Sequence, residues 1–222
     1  MNAGVAEFSA WQLLVMGGPV LVPILICSVF ALTIVIQKFG HFRSCDAGMR
    51  LLKDRVLLQV RQNNIKEAIL ACDASSSWAA QVFKAGLMKF GASRQEAVDA
   101  MEDAARVQIP RLESGLAVLA TIGGIMPLLG ILGTVLGLCG AFHTIQVRSA
   151  AMNPLNPGDI AAGIWQALMT TVISLMVTIP VLIAYNYFVH RLHLLVQDME
   201  TAALRLADLM MRSSDTNDPD RG

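Results

Sequence analysis

Three stretches of this chain contain no Asp, Glu, Lys or Arg: Phe8 to Gln37, Ser114 to Val147 and Ile160 to His190. Each exceeds the ~20 apolar residues an α-helix needs to cross a ~30 Å hydrocarbon core. Only 15% of all side chains are charged and 55% are hydrophobic, against about 25% charged in soluble domains. The sequence therefore predicts an all-α membrane protein with three transmembrane helices. The formal net charge is zero, so the basic excess that marks a nucleic-acid partner is absent.

Charge placement orients the spans. A signal peptide needs basic residues before its apolar run, whereas here Glu7 precedes the first run and Lys38, Arg43, Arg50, Lys53 and Arg55 follow it. Basic flanks mark the cytoplasmic side. The reading is an outer tail at 1–10, spans at 11–37, 114–147 and 159–190, and a cytoplasmic helical segment at 38–113. An outer loop at 148–158 and a cytoplasmic C-terminal helix with a disordered tail at 191–222 complete it.

Gly17, Gly18, Pro19 and Pro23 predict a bend or a late helix start in the first span. Residues 38–113 carry 12 basic and 9 acidic side chains. Within them Asn63-Asn64 opens a short helix through Ala71, and Trp78 to Phe90 forms an amphipathic stretch ending at Gly91. Ser93 with Glu96 reads as a capping box. Nothing decisive stops that helix before the membrane, with Pro110 as a possible kink. The 34 uncharged residues 114–147 would extend ~51 Å as a helix. The second and third helices are thus expected to continue into a cytoplasmic helical bundle. Cys27, Cys45, Cys72 and Cys139 form no CxxC pair and read as reduced thiols.

Two faces carry chemistry. On the second span Gly130, Gly133, Gly137, Gly140, Thr134 and Thr144 fall within ~120° at 100° per residue, a face that permits close helix approach. Bundle packing alone explains the glycines, while Thr134 at the edge of the stripe reads equally as packing or pore. On the third span Gln166, Thr170, Thr171, Ser174 and Thr178 fall within ~140°. A polar ribbon on a membrane helix faces protein or water, so this one is either water-lined or helix-facing. The spans hold no carboxylate, and His143 and His190 lie near span ends as interfacial side chains. Any titrating acid in a proton path would come from another subunit.

The stretch Leu119 to Phe142, LATIGGIMPLLGILGTVLGLCGAF, and the stretch Pro157 to Phe188, PGDIAAGIWQALMTTVISLMVTIPVLIAYNYF, resemble the signature region of the MotA/TolQ/ExbB proton channel family. The three-span, N-out arrangement and the opening GGPVLVPILICSVFALTIVIQKF are similar to the ExbB/TolQ branch, and the similarity extends over residues 12–200. The resemblance implies a bacterial inner-membrane protein forming a pentameric ring. The ring would surround single-span partners of the ExbD/TolR kind that supply an intramembrane Asp, with a TonB-like or TolA-like client beyond. It places the pore threonines at Thr134 and Thr171, structural prolines at Pro127 and Pro180, and the cytoplasmic exit near Asn186. Gln166 stands where the family often has Glu, which leaves a hydrogen-bonding group without charge.

The functional expectation is a ring-forming channel and stator subunit of a proton-motive-force-driven motor. The alternative is a non-conducting membrane scaffold. A three-span chain with no inverted repeat makes a poor transporter. With no Ser-His-Asp set, metal-ligand cluster or phosphate loop, neither an enzyme nor a cofactor is expected.

Overall fold

The computed structural model describes residues 18–75, 77–151, 154 and 156–217, with side chains through Ser213. The outer tail at 1–10, the start of the first span and the last five residues lie outside the described residues. All described elements are helices: α1 (Leu21–Arg61), α2 (Ile65–Asp73), α3 (Trp78–Leu87), α4 (Arg94–Glu113), α5 (Leu116–Ala150) and α6 (Pro157–Asn217). Three of them, α1, α5 and α6, are long and apolar enough to cross a membrane.

The chain forms two compact units. The first comprises residues through Ile36 together with Gly115–Asn186. Its large apolar side chains point outward as well as inward: Val29 is 65% exposed, Leu128 63%, Met176 70% and Ile183 64%. Water would not tolerate so continuous an apolar exterior, whereas hydrocarbon suits it. Helix α1 begins at Leu21, just after Gly18, whose φ of 68° is a left-handed conformation that suits glycine.

The second unit comprises Gln37–Ser114 and Tyr187–Gly222 and has an ordinary buried core. Helix α3 buries Trp78, Val82, Phe83 and Leu87, and each side chain of this size contributes about 1.5–3 kcal/mol on burial. Phe42 of α1 stacks on Phe188 of α6 with centroids 5.7 Å apart. Arg191 bridges to Asp46 at 2.6 Å, and Ser213 Oγ donates to the Val60 carbonyl at 3.1 Å. The last helix runs on to Asn217 and takes in the first residues of the polar C-terminal stretch. Helix α2 starts after Asn64 and ends at Asp73, two residues beyond its expected end.

Helix α4 starts at the expected cap: Ser93 Oγ accepts from the Glu96 amide at 3.2 Å. The Glu96 carboxylate closes the motif on the Ser93 hydroxyl at 2.9 Å, not on the backbone amide of a regular capping box. The expected run of this helix into the membrane is corrected. Helix α4 ends at Glu113 and α5 starts at Leu116, because Gly115 takes φ 83°. The carbonyls freed at this break find donors: Lys38 Nζ reaches the Leu112 oxygen at 2.9 Å, and Ser114 Oγ the Arg111 oxygen at 2.7 Å. Pro110 lies inside α4 and does not end it. Gly115→Ala forces a Cβ into a left-handed conformation at a cost of ~1–2 kcal/mol. The expected result is a lowered thermal midpoint of the purified protein.

Cys72 is buried at 3% exposure. Burial and then the neighbouring Asp73 charge push its thiol up to about 11, against the smaller opposing effect of Lys84. Only the thiolate reacts, so at pH 7 about one Cys72 in 10⁴ is reactive. The reactive fraction grows about tenfold per pH unit until the pKa is reached. Cys72 is expected to resist maleimide at pH 7 in the folded protein and to label promptly after denaturation.

Candidate functional site

Helices α5 and α6 pack along a seam of small residues in the first unit. A Cβ added at Gly123 would press on Leu182, at Gly130 on Ser174 (2.8 Å), at Gly133 on Thr170 and at Gly137 on Ala167 (2.8 Å). A Cβ added to Gly163, on α6, would meet Ala141 at 2.9 Å. Partners on α6 descend in number as those on α5 rise, so the two helices run antiparallel. The seam advances by three or four residues, the spacing of one helix face. Gly140 departs from the expected stripe: a Cβ there would meet nothing within 4 Å. Ala141, four residues after Gly137, continues the face instead.

The polar ribbon of α6 turns largely into this seam. Thr170, Ser174 and Thr178 are 1%, 0% and 3% exposed. Ser174 Oγ donates to the Met126 carbonyl at 2.5 Å, and Thr171 Oγ1 to the Gly130 carbonyl at 2.9 Å. Thr170 and Thr178 donate along their own helix to the carbonyls of Gln166 at 2.9 Å and Ser174 at 2.8 Å. Inter-helix hydroxyl bonds of this kind hold membrane helices together. The ribbon is therefore helix-facing at Thr170, Ser174 and Thr178, while Thr171 and Gln166 keep partial exposure.

Thr134 is also half-buried, and its Oγ1 donates to the Ile131 carbonyl at 2.6 Å. Both Thr134 and Thr171 thus have their hydrogen committed to a backbone carbonyl. Each retains lone pairs on oxygen, which makes it an acceptor toward any incoming donor or cation. Pro127 and Pro180 lie inside α5 and α6. Lacking an amide, they withdraw the helical donors to the carbonyls of Gly123 and Met176. Asn186 is exposed on α6.

A pocket of about 550 Å³ opens on the seam beside Gly133 and Gly137, with Thr144, Arg148, Asp159 and Gln166 on its walls. Gln166 reaches toward Gly18, whose α-carbon has no room for a side chain there. Arg148 in the last turn of α5 bridges to Asp159 in the first turn of α6 at 2.5 Å. Each charge also lies at the helix end whose dipole favours it. The sequence reading missed this pair. It also missed Gly123, Ala141, Gly163 and Ala167, although the spacings Gly137–Ala141 and Gly163–Ala167 are a small-residue signal. Among the described residues no His, Cys, Asp and Glu gather into a metal-binding group.

These features define a multi-pass α-helical membrane protein, with two helices whose charge-free spans are sealed through glycines and hydroxyls. The sequence pattern of the MotA/TolQ/ExbB proton channel family matches residues 74–201. The Tol-Pal system protein TolQ of Pseudomonas aeruginosa is 27% identical over 210 residues, 90% of this chain and 89% of its own length. A putative biopolymer transport protein, ExbB-like 3 of Synechocystis, is 30% identical over 78% of this chain and 81% of its own. The biopolymer transport protein ExbB of Xanthomonas campestris is 38% identical over 97 residues, 43% of this chain and 37% of its own. The chain belongs to the MotA/TolQ/ExbB proton channel family and stands in its ExbB/TolQ branch.

Proposed function

We propose that the chain is the ring-forming channel and stator subunit of an ion-driven motor in a bacterial inner membrane. In this reading the N-terminus is periplasmic and the C-terminus cytoplasmic. The second unit forms a cytoplasmic helical body. Copies assemble as a ring, a pentamer by family resemblance, around single-span partners of the ExbD/TolR kind. One observation carries the reading: Thr134 and Thr171 present acceptor oxygens within the runs Ser114 to Val147 and Ile160 to His190, which hold no carboxylate of their own. An acid on a partner helix, protonated from outside, would donate its O–H to these oxygens. On losing the proton inward it would release them.

Each elementary charge carried down the gradient supplies ~2.3 kcal/mol per 100 mV. That energy would turn ring and partner against each other and drive a TonB-like or TolA-like client. Gln166 on the pocket wall would hydrogen-bond water without titrating. Thr170, Ser174 and Thr178 would hold the two helices in register beneath the path. That buried ribbon is also what a non-conducting scaffold would need, and the half-exposed acceptors favour the channel over it.

The test is co-purification with a co-expressed single-span protein of the ExbD/TolR kind, followed by native mass determination. A ring of this chain with a small number of partner chains is expected. A stable monomer or dimer that binds no partner would leave the scaffold reading in front.

A further inference from the structure

A second pocket, in the other unit, has no part in that reading. It encloses about 450 Å³ between α1 and α6 and is lined by Phe39, Phe42, Arg43, Asp46, Ala47, Arg50, Tyr187, Phe188 and Arg191. Phe39, Arg43, Ala47 and Arg50 recur every three or four residues, so α1 presents them on one face. The charged groups on its walls are three guanidiniums and the single Asp46 carboxylate. Asp46 already holds Arg191 at 2.6 Å and Arg50 at 3.3 Å. Arg43 is exposed and has no ion pair or hydrogen bond among the described residues. The pocket is thus built with an excess of positive charge and one guanidinium without a counter-ion.

Its depth follows from the sequence. Lys38 is the first charge after the first apolar run, and Arg191 the first after the third. The pocket begins where both runs end, the depth of lipid headgroups. Phe39 and Tyr187, 57% and 52% exposed, offer aromatic surface at the level where such rings favour the membrane interface. Guanidinium forks match phosphate oxygens in pairs, and basic pockets at this side of membrane helices suit anionic headgroups.

We infer that this pocket binds the phosphate group of an anionic phospholipid, with Arg43 and Arg50 on the phosphate oxygens and Phe39 and Tyr187 along the upper acyl chain. Asp46 holds Arg191 in place and keeps the site from attracting more than one such group. The site is independent of whether the α5–α6 seam conducts.

The test is native mass spectrometry of the full chain in detergent, titrated with phosphatidylglycerol, with phosphatidylcholine and with inorganic phosphate. Phosphatidylglycerol is expected to remain bound at concentrations where phosphatidylcholine does not. Arg43→Gln, which breaks no contact within the chain, should weaken retention about 3- to 10-fold, by one charge-assisted contact. Arg43→Lys, which keeps the charge but not the fork, should fall between wild type and Arg43→Gln, and Arg50→Gln provides a second, separate removal. Equal retention of the two lipids, or wild-type retention by both glutamine variants, would overturn the site. Displacement of the lipid by millimolar inorganic phosphate would assign the pocket to a soluble anion and overturn the lipid assignment.

Discussion

Thr171→Val is expected to leave the proposed ring assembled while cutting ion flux roughly 2- to 10-fold, the worth of the one neutral hydrogen bond that its oxygen accepts. Valine matches threonine in shape, so packing against Gly130 survives. Within the chain the substitution removes only the hydroxyl bond to the Gly130 carbonyl at 2.9 Å, a loss of about 1 kcal/mol. What disappears at the half-exposed edge of α6 is the acceptor oxygen. Thr171→Ser keeps that oxygen and is expected to retain most of the flux. The measurement is acidification of proteoliposomes holding the chain together with the proposed single-span partner, followed by an internal pH dye under an imposed potential. Wild-type flux from the valine variant, with the complex intact, would remove Thr171 from the ion path. A valine variant that fails to assemble would instead make the residue structural, alongside Ser174.

The membrane class was legible because hydrocarbon imposes a rule that sequence cannot evade. Runs such as Ser114 to Val147 must be helical where no water satisfies backbone groups. The seam was half legible. Angular spacing placed Gly130, Gly133 and Gly137 on one face, but it could not separate Gly137, pressed on Ala167, from Gly140, where an added Cβ would meet nothing within 4 Å. That difference depends on where α6 crosses, a tertiary fact. For the same reason the five-residue ribbon looked uniform in sequence. The packed helices bury Thr170, Ser174 and Thr178 and leave Thr171 at the margin. The break at Ser114–Gly115 was missed because a glycine beside an apolar run fits a helix interior as well as a left-handed turn. Its stabilising donor, Lys38, comes from 74 residues away. The Arg148–Asp159 pair was hidden in the same way, by two charges that look like ordinary span flanks.

Gly133→Leu is expected to be the most damaging single change in the membrane unit. A Cβ alone already collides with Thr170, and Thr170 is fully packed at 1% exposure, so it cannot swing away. Overpacking of a tight seam costs ~1–3 kcal/mol, and leucine adds three further carbons with no space to receive them. Separating α5 from α6 also strips Ser174 and Thr171 of their acceptors on Met126 and Gly130. In hydrocarbon those groups find no water to replace the loss. The variant should therefore show a collapsed thermal midpoint or no folded protein at all. Gly124→Leu and Gly140→Leu lie on the same helix with nothing within 4 Å of the new Cβ. They place the same side chain in the same membrane without pressing on α6, since Gly124 is exposed and Gly140 opens into the seam pocket it helps to line, and are expected to unfold within a few degrees of wild type. If all three variants melted alike, the damage would come from leucine in α5 as such and the seam would not be the element that holds the unit together. If Gly140→Leu kept its fold but lost the ring, the open face of α5 would be where neighbouring copies or the partner helix make contact.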